Sequence, residues 1–312
     1  MLFKPFHTTL DFHLKPNETV AELLTHNLLS FLPEASRAIS FTIEQLKWDC
    51  TSECKYTCME ELSLSGQQKS LPVVKFFGKW PFKRVLGAQE ILSSLFSFLN
   101  GVPHFLYLVF WRNSYAPKGY YMSNLLKVYS CVCMNSWLWS TIFHARDVKI
   151  SEAGDYYFAT SQIFFSVFLA IIRLAGRKKR TRSVVGFVVG LSLTVFYARY
   201  VWFMENVLFD YGYHMKINLG GGVLHLLVWV CWVFVGDGKA RAYRWKCLRF
   251  LGLLLLAALC EVFDFPPFFG LLDAHATWHG LTIPLVPMWY QFWASDAEYE
   301  VAYSSSLKEK KD

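Results

Sequence analysis

Residues 251–260 read LGLLLLAALC and contain no charged side chain. They form the middle of an apolar segment that covers residues 247–265. The hydrocarbon core of a bilayer is about 30 Å thick, so a transmembrane helix needs about 20 predominantly apolar residues. This stretch therefore predicts that the chain crosses a membrane.

The composition of the whole chain agrees with that prediction. Hydrophobic residues make up 54% of the 312 residues, charged residues make up 18%, and the mean hydropathy is +0.27. Soluble domains carry about 25% charged residues. The apolar content excludes a disordered chain, and 8 cysteines are too few for a small disulfide scaffold of this length.

Further apolar segments lie on both sides of residues 247–265, separated by short polar stretches. A single segment of this kind is also compatible with a buried helix of a soluble protein, but seven in succession favour membrane spans. The sequence therefore predicts an all-α membrane protein, a seven-transmembrane helix bundle within residues 89–296. The predicted spans are 89–111, 122–143, 155–175, 183–204, 214–235, 247–265 and 273–294.

The basic residues of the loops indicate the orientation of this bundle. Lys and Arg are enriched in cytosolic loops. Here they concentrate in the odd-numbered loops, above all in the run RKKRTR at 177–182, and in the tail at 297–312. We expect this tail to be cytosolic and the N-terminal segment, residues 1–88, to be luminal. The net charge of +7 is then a topology signal, and we expect no nucleic-acid partner.

The expected luminal segment carries three cysteines, Cys50, Cys54 and Cys58, at a spacing of four. A zinc site would need a fourth ligand at a known spacing, whereas an oxidising lumen favours a disulfide. Three is an odd number, so one thiol lacks a local partner and the pairing stays open. The sequon NET at 17–19 predicts a glycoprotein. Residues 1–47 are atypical, because they lack the continuous apolar core of a signal peptide.

Ionisable residues within membrane spans are costly and mark functional sites. Ser140 and His144 are four residues apart near the end of the second predicted span, and His275 and His279 have the same spacing at the start of the seventh. Residues four apart share one face of a helix. Asp155 opens the third span. The predicted topology places all five residues near the luminal face of the membrane.

Three histidines with an open coordination position are typical of catalytic zinc. We therefore predict that His144, His275 and His279 bind zinc. A nearby Asp155 can transfer a proton, and the Ser140 hydroxyl can donate to a developing oxyanion. Two alternatives are structural histidines and a metal-free Ser-His-Asp triad, although the triad leaves the second histidine pair unexplained.

Several other polar residues allow more than one interpretation. Glu261 and Asp264 either orient the histidines from behind or belong to an interfacial turn. Glu90 is a second orienting residue, a cation ligand or a solvated side chain. For His104 and His225 we expect packed, neutral rings.

Several motifs around these residues resemble the Per-one-like family. They are specific because they are long, and the resemblance covers residues 48–299. The family belongs to a superfamily with alkaline ceramidases and with progestin and adiponectin receptors. The motifs are NSWLWSTIFHARD at 135–147, DY at 155–156, FDYGY at 209–213, DFPP at 264–267, DAHATWHGLTIP at 273–284, WDC at 48–50, CM at 58–59 and GKWPF at 78–82.

The resemblance implies a seven-helix hydrolase of the Golgi membrane. It would remove the sn-2 unsaturated acyl chain from the lipid of GPI-anchored proteins, which are its expected partners. In the pattern of the superfamily His144, His275 and His279 correspond to zinc ligands. Asp155 corresponds to the proton-transfer residue, and Ser140 to the group that polarises the carbonyl or the oxyanion.

The chain also departs from the family. Members usually begin with a cleaved signal peptide and further luminal cysteines, which residues 1–47 do not show. The acidic residues of the ceramidase calcium site are missing around Trp80, so we expect no calcium. Lys308 and Lys310 allow two interpretations: they resemble a dilysine retrieval signal, which would imply cycling through the endoplasmic reticulum, or they belong to a solvated charged tail. The alternative functions are a ceramidase-like amidase and a non-enzymatic lipid receptor or GPI-protein sorting factor with a structural zinc.

Overall fold

The computed structural model describes residues 48–111, 115 and 119–309. All regular structure in this part of the chain is helical, apart from three isolated β-bridges, so the predicted all-α class is confirmed. A short 3-10 helix lies at Asp237–Ala240, and a π-helical turn, Tyr107–Trp111, extends the second helix. The α-helices are α1 (Cys50–Gln68), α2 (Ile91–Leu106), α3 (Ser123–Ala145), α4 (Lys149–Leu174), α5 (Lys179–Asn206), α6 (Tyr211–Phe234), α7 (Arg244–Phe263), α8 (Ala274–Thr282) and α9 (Leu285–Glu309).

Four of the described helices are long and apolar enough to cross a membrane. They are α2 with its π-helical turn, α4, α5 and α6. On α5 the large apolar side chains Phe187, Leu191 and Val195 are exposed. A contiguous exposed apolar surface of this kind fits a lipid environment. These helices are therefore consistent with a multi-pass membrane protein, while the count of seven spans stays a prediction.

The predicted seventh span, 273–294, is divided between two helices. Helix α8 ends at Thr282, and α9 begins at Leu285 and continues to Glu309. Pro284 lies in the break, where its missing N–H and its ring disfavour an uninterrupted helix. The expected tail at 297–312 is therefore helical up to Glu309. The break leaves α8 as a short separate helix that carries two of the predicted metal ligands.

Helix α8 lies against α2 and α7, and α2 also packs against α3. The approach between α2 and α8 is close, because a Cβ at Gly280 would lie 3.2 Å from the ring of Phe96. The buried Asn100 on α2 donates a 2.8 Å hydrogen bond to the backbone carbonyl of His279. These contacts fix the position of α8 against the helix that faces the predicted site.

A second buried polar group lies far from α8. Arg173 donates to both carboxylate oxygens of Asp296 at 2.7–3.0 Å. Glu300 accepts from Arg173, Arg177 and Arg241 at 2.7–3.0 Å. We call these five residues the arginine–carboxylate cluster. The charge pattern predicted the arginines of the 177–182 run only as loop charges, but Arg177 belongs to this internal network.

The cluster lies at the opposite end of the bundle from Asp155. Asp155 and Arg173 are on the same helix, α4, and are 18 positions apart. With a rise of 1.5 Å per residue they are separated by about 27 Å along the helix axis. This distance is close to the thickness of the hydrocarbon core, about 30 Å. The bundle thus has two polar ends, one with the predicted site and one with the cluster.

The disulfide expected in the N-terminal segment is not formed. All 8 cysteines of the chain lie in the described residues and are free thiols. Cys50, Cys54 and Cys58 lie on successive turns of α1 and are exposed. Cβ atoms four residues apart on a helix are about 5–6 Å apart, whereas a disulfide needs about 3.5–4.5 Å. The sequon at 17–19, the atypical residues 1–47, and Lys310 lie outside the described residues.

Candidate metal centre

His144 lies in the last turn of α3, and its ring is held from behind by Glu90. Its Nδ1 donates to Glu90 Oε2 at 2.7 Å, and the Glu90 backbone N–H donates to the His144 carbonyl at 2.9 Å. Both side chains are buried. A carboxylate on one ring nitrogen fixes the tautomer and the orientation of a histidine. The lone pair of His144 Nε2 is therefore directed away from Glu90.

His275 and His279 are one turn apart on α8. The helix begins at the N-cap Asp273, whose side chain accepts from the Ala276 N–H at 2.7 Å. His275 Nδ1 donates to Glu261 Oε1 at 2.5 Å, an arrangement that repeats the His144–Glu90 pair. Glu261 is on α7, so two different helices supply the carboxylates behind the two rings.

His279 is buried and is held by packing rather than by a carboxylate. Its ring contacts Trp137 edge-on at a centroid distance of 5.4 Å. Its backbone carbonyl accepts from Asn100 and from the Thr282 hydroxyl, each at 2.8 Å. Its Nδ1 is buried without a hydrogen-bond partner among the described residues. Packing against Trp137 therefore helps to hold the ring of His279 in place.

The Nε2 atoms of the three histidines converge. His144 Nε2 is 3.3 Å from His275 Nε2 and 3.3 Å from His279 Nε2, and the latter two are 2.9 Å apart. Zinc–nitrogen bonds of about 2.05 Å at a tetrahedral angle place two ligand atoms about 3.3 Å apart. Two of the three separations match this value, and all three atoms could hold one metal ion. The residues therefore fit a three-histidine metal site.

The same geometry explains why a cation suits this position. His144 and His275 donate through Nδ1, so their Nε2 atoms are acceptors whose lone pairs face one another. A metal ion replaces this repulsion by coordination. Both ring nitrogens of His144 are engaged, one by Glu90 and one by the other histidines. The Ser140–His144 hydrogen bond of a metal-free triad is not formed in the described structure.

Ser140 and Asp155 lie beside the histidines. The Ser140 hydroxyl is buried and is 3.1 Å from the Ser97 hydroxyl on α2. The Asp155 carboxylate lies near Ser140 and interacts electrostatically with His144 and His275. The structure thus brings all five predicted site residues together from α3, α4 and α8.

A lysine outside the spans completes the charged surroundings. Lys79 pairs with Asp147 and lies 4.7 Å above the Phe143 ring. Burial lowers the pKa of Lys79, while Glu90 and Asp155 oppose this shift through their negative charges. The position of Lys79 beside the site could not be found from spacing.

The structure distinguishes between the interpretations of the remaining polar residues. Glu90 and Glu261 orient histidines, whereas Asp264 pairs with Lys75 and accepts from Trp80 Nε1 in a surface turn. His104 and His225 are packed rings with hydrogen bonds to Tyr290 and Trp229, as expected. Ser97 and Asn100 were not predicted as site residues. Their signal was available, because the buried polar residues of α2 recur at helical spacing: Ser93, Ser94, Ser97, Asn100 and His104.

Fold and site together define a class of protein: the described residues form an all-helical structure that is consistent with a multi-pass membrane protein, and it contains a three-histidine cluster able to hold a metal ion. Comparison with known proteins gives the family. The chain belongs to the Per1-like family, whose profile matches residues 40–297. This confirms the family resemblance of the motifs, while the wider link to alkaline ceramidases stays a prediction.

Curated relatives cover most of the chain. A Xenopus tropicalis protein named GPI-specific phospholipase A2-like PGAP3 is 38% identical over 85% of this chain and 84% of its own length. The human protein of the same name is 35% identical over 85% and 79%. Post-GPI attachment to proteins factor 3 of Drosophila melanogaster is 36% identical over 78% and 74%. No solved structure matches the chain.

Proposed function

We propose that this protein is a zinc-dependent acyl-ester hydrolase that removes the sn-2 acyl chain from the lipid of GPI-anchored proteins. The observation that carries the proposal is the convergence of His144, His275 and His279 beside Ser140 and Asp155. The relatives are named GPI-specific phospholipase A2-like, and this name supports the substrate class. GPI-anchored proteins are accordingly the proposed partners.

In this proposal the three histidines hold zinc through Nε2, and Glu90 and Glu261 keep two of the rings in the required tautomer. Zinc suits three imidazoles, and hydrolysis requires no redox change. When bound, it would lower the pKa of a water molecule to about 7 and polarise the ester carbonyl.

Asp155 then acts on the proton of the reaction. It accepts a proton as water adds to the ester carbon, and it returns that proton to the glycerol oxygen when the acyl C–O bond breaks. The products are a free fatty acid and a GPI anchor that lacks one acyl chain. Ser140 stabilises the negative charge on the former carbonyl oxygen by donating a hydrogen bond.

The contact with Ser97 affects how the Ser140 hydroxyl can donate its proton. A serine hydroxyl has one proton and two acceptor sites. If Ser97 donates to Ser140 across their 3.1 Å contact, the proton of Ser140 stays available, first for Asp155 and then for the oxyanion. Ser97 is therefore a positioning residue in this mechanism.

The proposed cellular arrangement follows the charge pattern of the sequence. In the Golgi membrane, residues 1–88 would be luminal, residues 89–296 would form seven spans, and residues 297–312 would lie in the cytosol. The site would then open to the lumen, where GPI-anchored proteins reside. Glycosylation sites inserted into successive loops test this arrangement, since only luminal loops become modified.

The decisive experiment is expression in cells that lack their own GPI-remodelling hydrolase. Mass spectrometry of GPI lipids should detect loss of the unsaturated sn-2 chain with the wild-type chain and none with His275→Ala. His225→Gln is the matched control, because His225 is a partly buried histidine that accepts a hydrogen bond from Trp229 Nε1 and does not belong to the three-histidine cluster. Surface delivery of a GPI-anchored reporter shows whether each variant folds and traffics.

Normal turnover by a well-folded His275→Ala variant would overturn the catalytic-metal mechanism. Turnover of ceramide in place of GPI lipid by the wild-type chain would favour the ceramidase-like alternative. A wild-type chain that binds GPI-anchored proteins without changing their lipid would favour a receptor or sorting factor with a structural zinc.

A further inference from the structure

A cleft lies at the end of the bundle that carries the arginine–carboxylate cluster. Its volume is about 560 Å³, within the range of small-molecule sites, about 300–1,000 Å³. Among the described residues, six line the cleft; three of them are cationic and none is acidic. The lining residues are Arg177, Gly236, Lys239, Ala240, Arg241 and Tyr299. This charge imbalance favours an anionic occupant.

The arginines of the cleft are held in place from behind. Arg177 and Arg241 both bind the buried carboxylate of Glu300, at 2.7 and 2.8 Å. The guanidinium of Arg241 also stacks on the Tyr299 ring at 4.0 Å. Side chains fixed in this way lose little conformational freedom when a ligand binds. Guanidinium groups match the geometry of phosphate oxygens.

The surroundings of the cleft indicate where its ligand lies. Gly236 lines the cleft directly after Phe234 and Val235, whose apolar side chains are exposed. Tyr299 and Tyr303 are partly exposed on the neighbouring turns of α9. Aromatic residues beside an apolar surface are typical of the membrane interface. A basic pocket between helices at such a position is suited to a lipid head group.

We propose that this cleft is a binding site for a phosphate-bearing head group, separate from the histidine site. Arg177, Arg241 and Lys239 contact the phosphate, and Val235 borders the acyl chains when the ligand is a phospholipid. The same chemistry is offered by a soluble inositol phosphate, which the experiment distinguishes from the lipid.

The test uses the full chain in detergent micelles. Binding of dioctanoyl phosphatidylinositol phosphate is measured by native mass spectrometry and by the shift in thermal unfolding, with dioctanoyl phosphatidylcholine as the neutral comparison. The wild-type chain should bind the anionic lipid saturably. Lys239→Gln should weaken binding about tenfold, because a hydrogen bond to a charged group is lost. Ala240→Trp fills the cleft and should abolish binding while every charge remains.

Arg180→Gln is the matched control. Arg180 is an exposed cation near the same end of the bundle and does not line the cleft. Its substitution should change the affinity by less than about twofold, since a screened surface charge contributes little. Equal weakening by Arg180→Gln and Lys239→Gln would overturn the site in favour of general attraction. The thermal unfolding of each variant without ligand shows whether it folds, and Lys239→Gln remains informative if Ala240→Trp does not.

Competition by inositol hexakisphosphate identifies the source of the phosphate. Effective competition supports a site for soluble phosphate compounds, and absence of competition beside tight lipid binding supports a lipid head group. No saturable binding of either compound by the wild-type chain overturns the proposal.

Discussion

The two ends of the bundle both bury charged and titratable side chains, but they arrange them in opposite ways. In the arginine–carboxylate cluster each carboxylate binds arginine directly, so the charges compensate one another. In the histidine site the Nε2 atoms of His144, His275 and His279 face a common point, and the carboxylates lie behind them.

This difference separates a network that is complete without a ligand from a cluster that is not. Arginines and carboxylates that pair with one another support the fold even where Arg177 and Arg241 also line the cleft, whereas acceptors that converge within 3.3 Å need a cation between them. The comparison predicts that the first group supports the fold under all conditions. The second should contribute stability only when metal is present.

The largest effect is expected in the arginine–carboxylate cluster. Asp296→Ala leaves the fully buried Arg173 without its bidentate partner, and such a loss costs about 3–5 kcal/mol. Thermal unfolding in detergent should show this loss with zinc and with a chelator alike. Glu298→Gln, an exposed carboxylate on the same helix, is the control. Equal stability of Asp296→Ala and the wild-type chain would contradict the structural role of the cluster.

The next effect concerns the metal. Zinc at 100 times its dissociation constant should stabilise the wild-type chain by about 2.7 kcal/mol relative to chelator. His279→Gln should lose this difference, because only two ligands remain. His225→Gln should keep it. The free energy of unfolding with and without zinc measures the effect, and a full zinc response in His279→Gln would contradict the three-histidine site.

A smaller effect is expected from the carboxylates behind the rings. Glu90→Gln and Glu261→Gln should each weaken metal affinity by about 10–100-fold, since they remove the groups that orient His144 and His275. Glu90 should have the larger effect, because its side chain is 10% exposed against 25% for Glu261. Zinc titration with a competing chelator gives the affinities. Unchanged affinities would mean that packing alone holds the rings.

The smallest effect is expected from Ser97→Ala. We expect activity to fall about fivefold, in line with the loss of one neutral hydrogen bond of about 1 kcal/mol. Zinc affinity should not change, which distinguishes positioning of Ser140 from damage to the metal site. Ser93→Ala is the matched control, because Ser93 is a buried serine on the same helix whose hydroxyl has no partner among the described residues. A loss of zinc binding in Ser97→Ala would refute the positioning role.

Much of the site could be predicted from local spacing. Ser140 with His144, and His275 with His279, share helix faces because they are four residues apart. Spacing alone could not decide which of Glu90, Glu261 and Asp264 orient the histidines. That choice depends on how α2 and α7 pack around the histidines.

Other features could not be predicted from the sequence, for physical reasons. The expected disulfide depended on the cysteine count and the compartment, but α1 separates its three thiols by full helical turns. The single span at 273–294 depended on hydropathy, which does not register the effect of Pro284 on the backbone. Arg173 and Asp296 are 123 residues apart, and no local pattern links side chains at such a separation.

The sequence by itself determined the apolar helical class, the family, and the identity of the three histidines, because hydropathy, motif and helical spacing are local properties. Only the tertiary structure decided that the Nε2 atoms meet at one point and that Glu90 and Glu261 lie behind them. It also decided that the arginines of the opposite end compensate buried carboxylates while lining a cleft. Those outcomes depend on distances between residues from different helices, which packing alone sets.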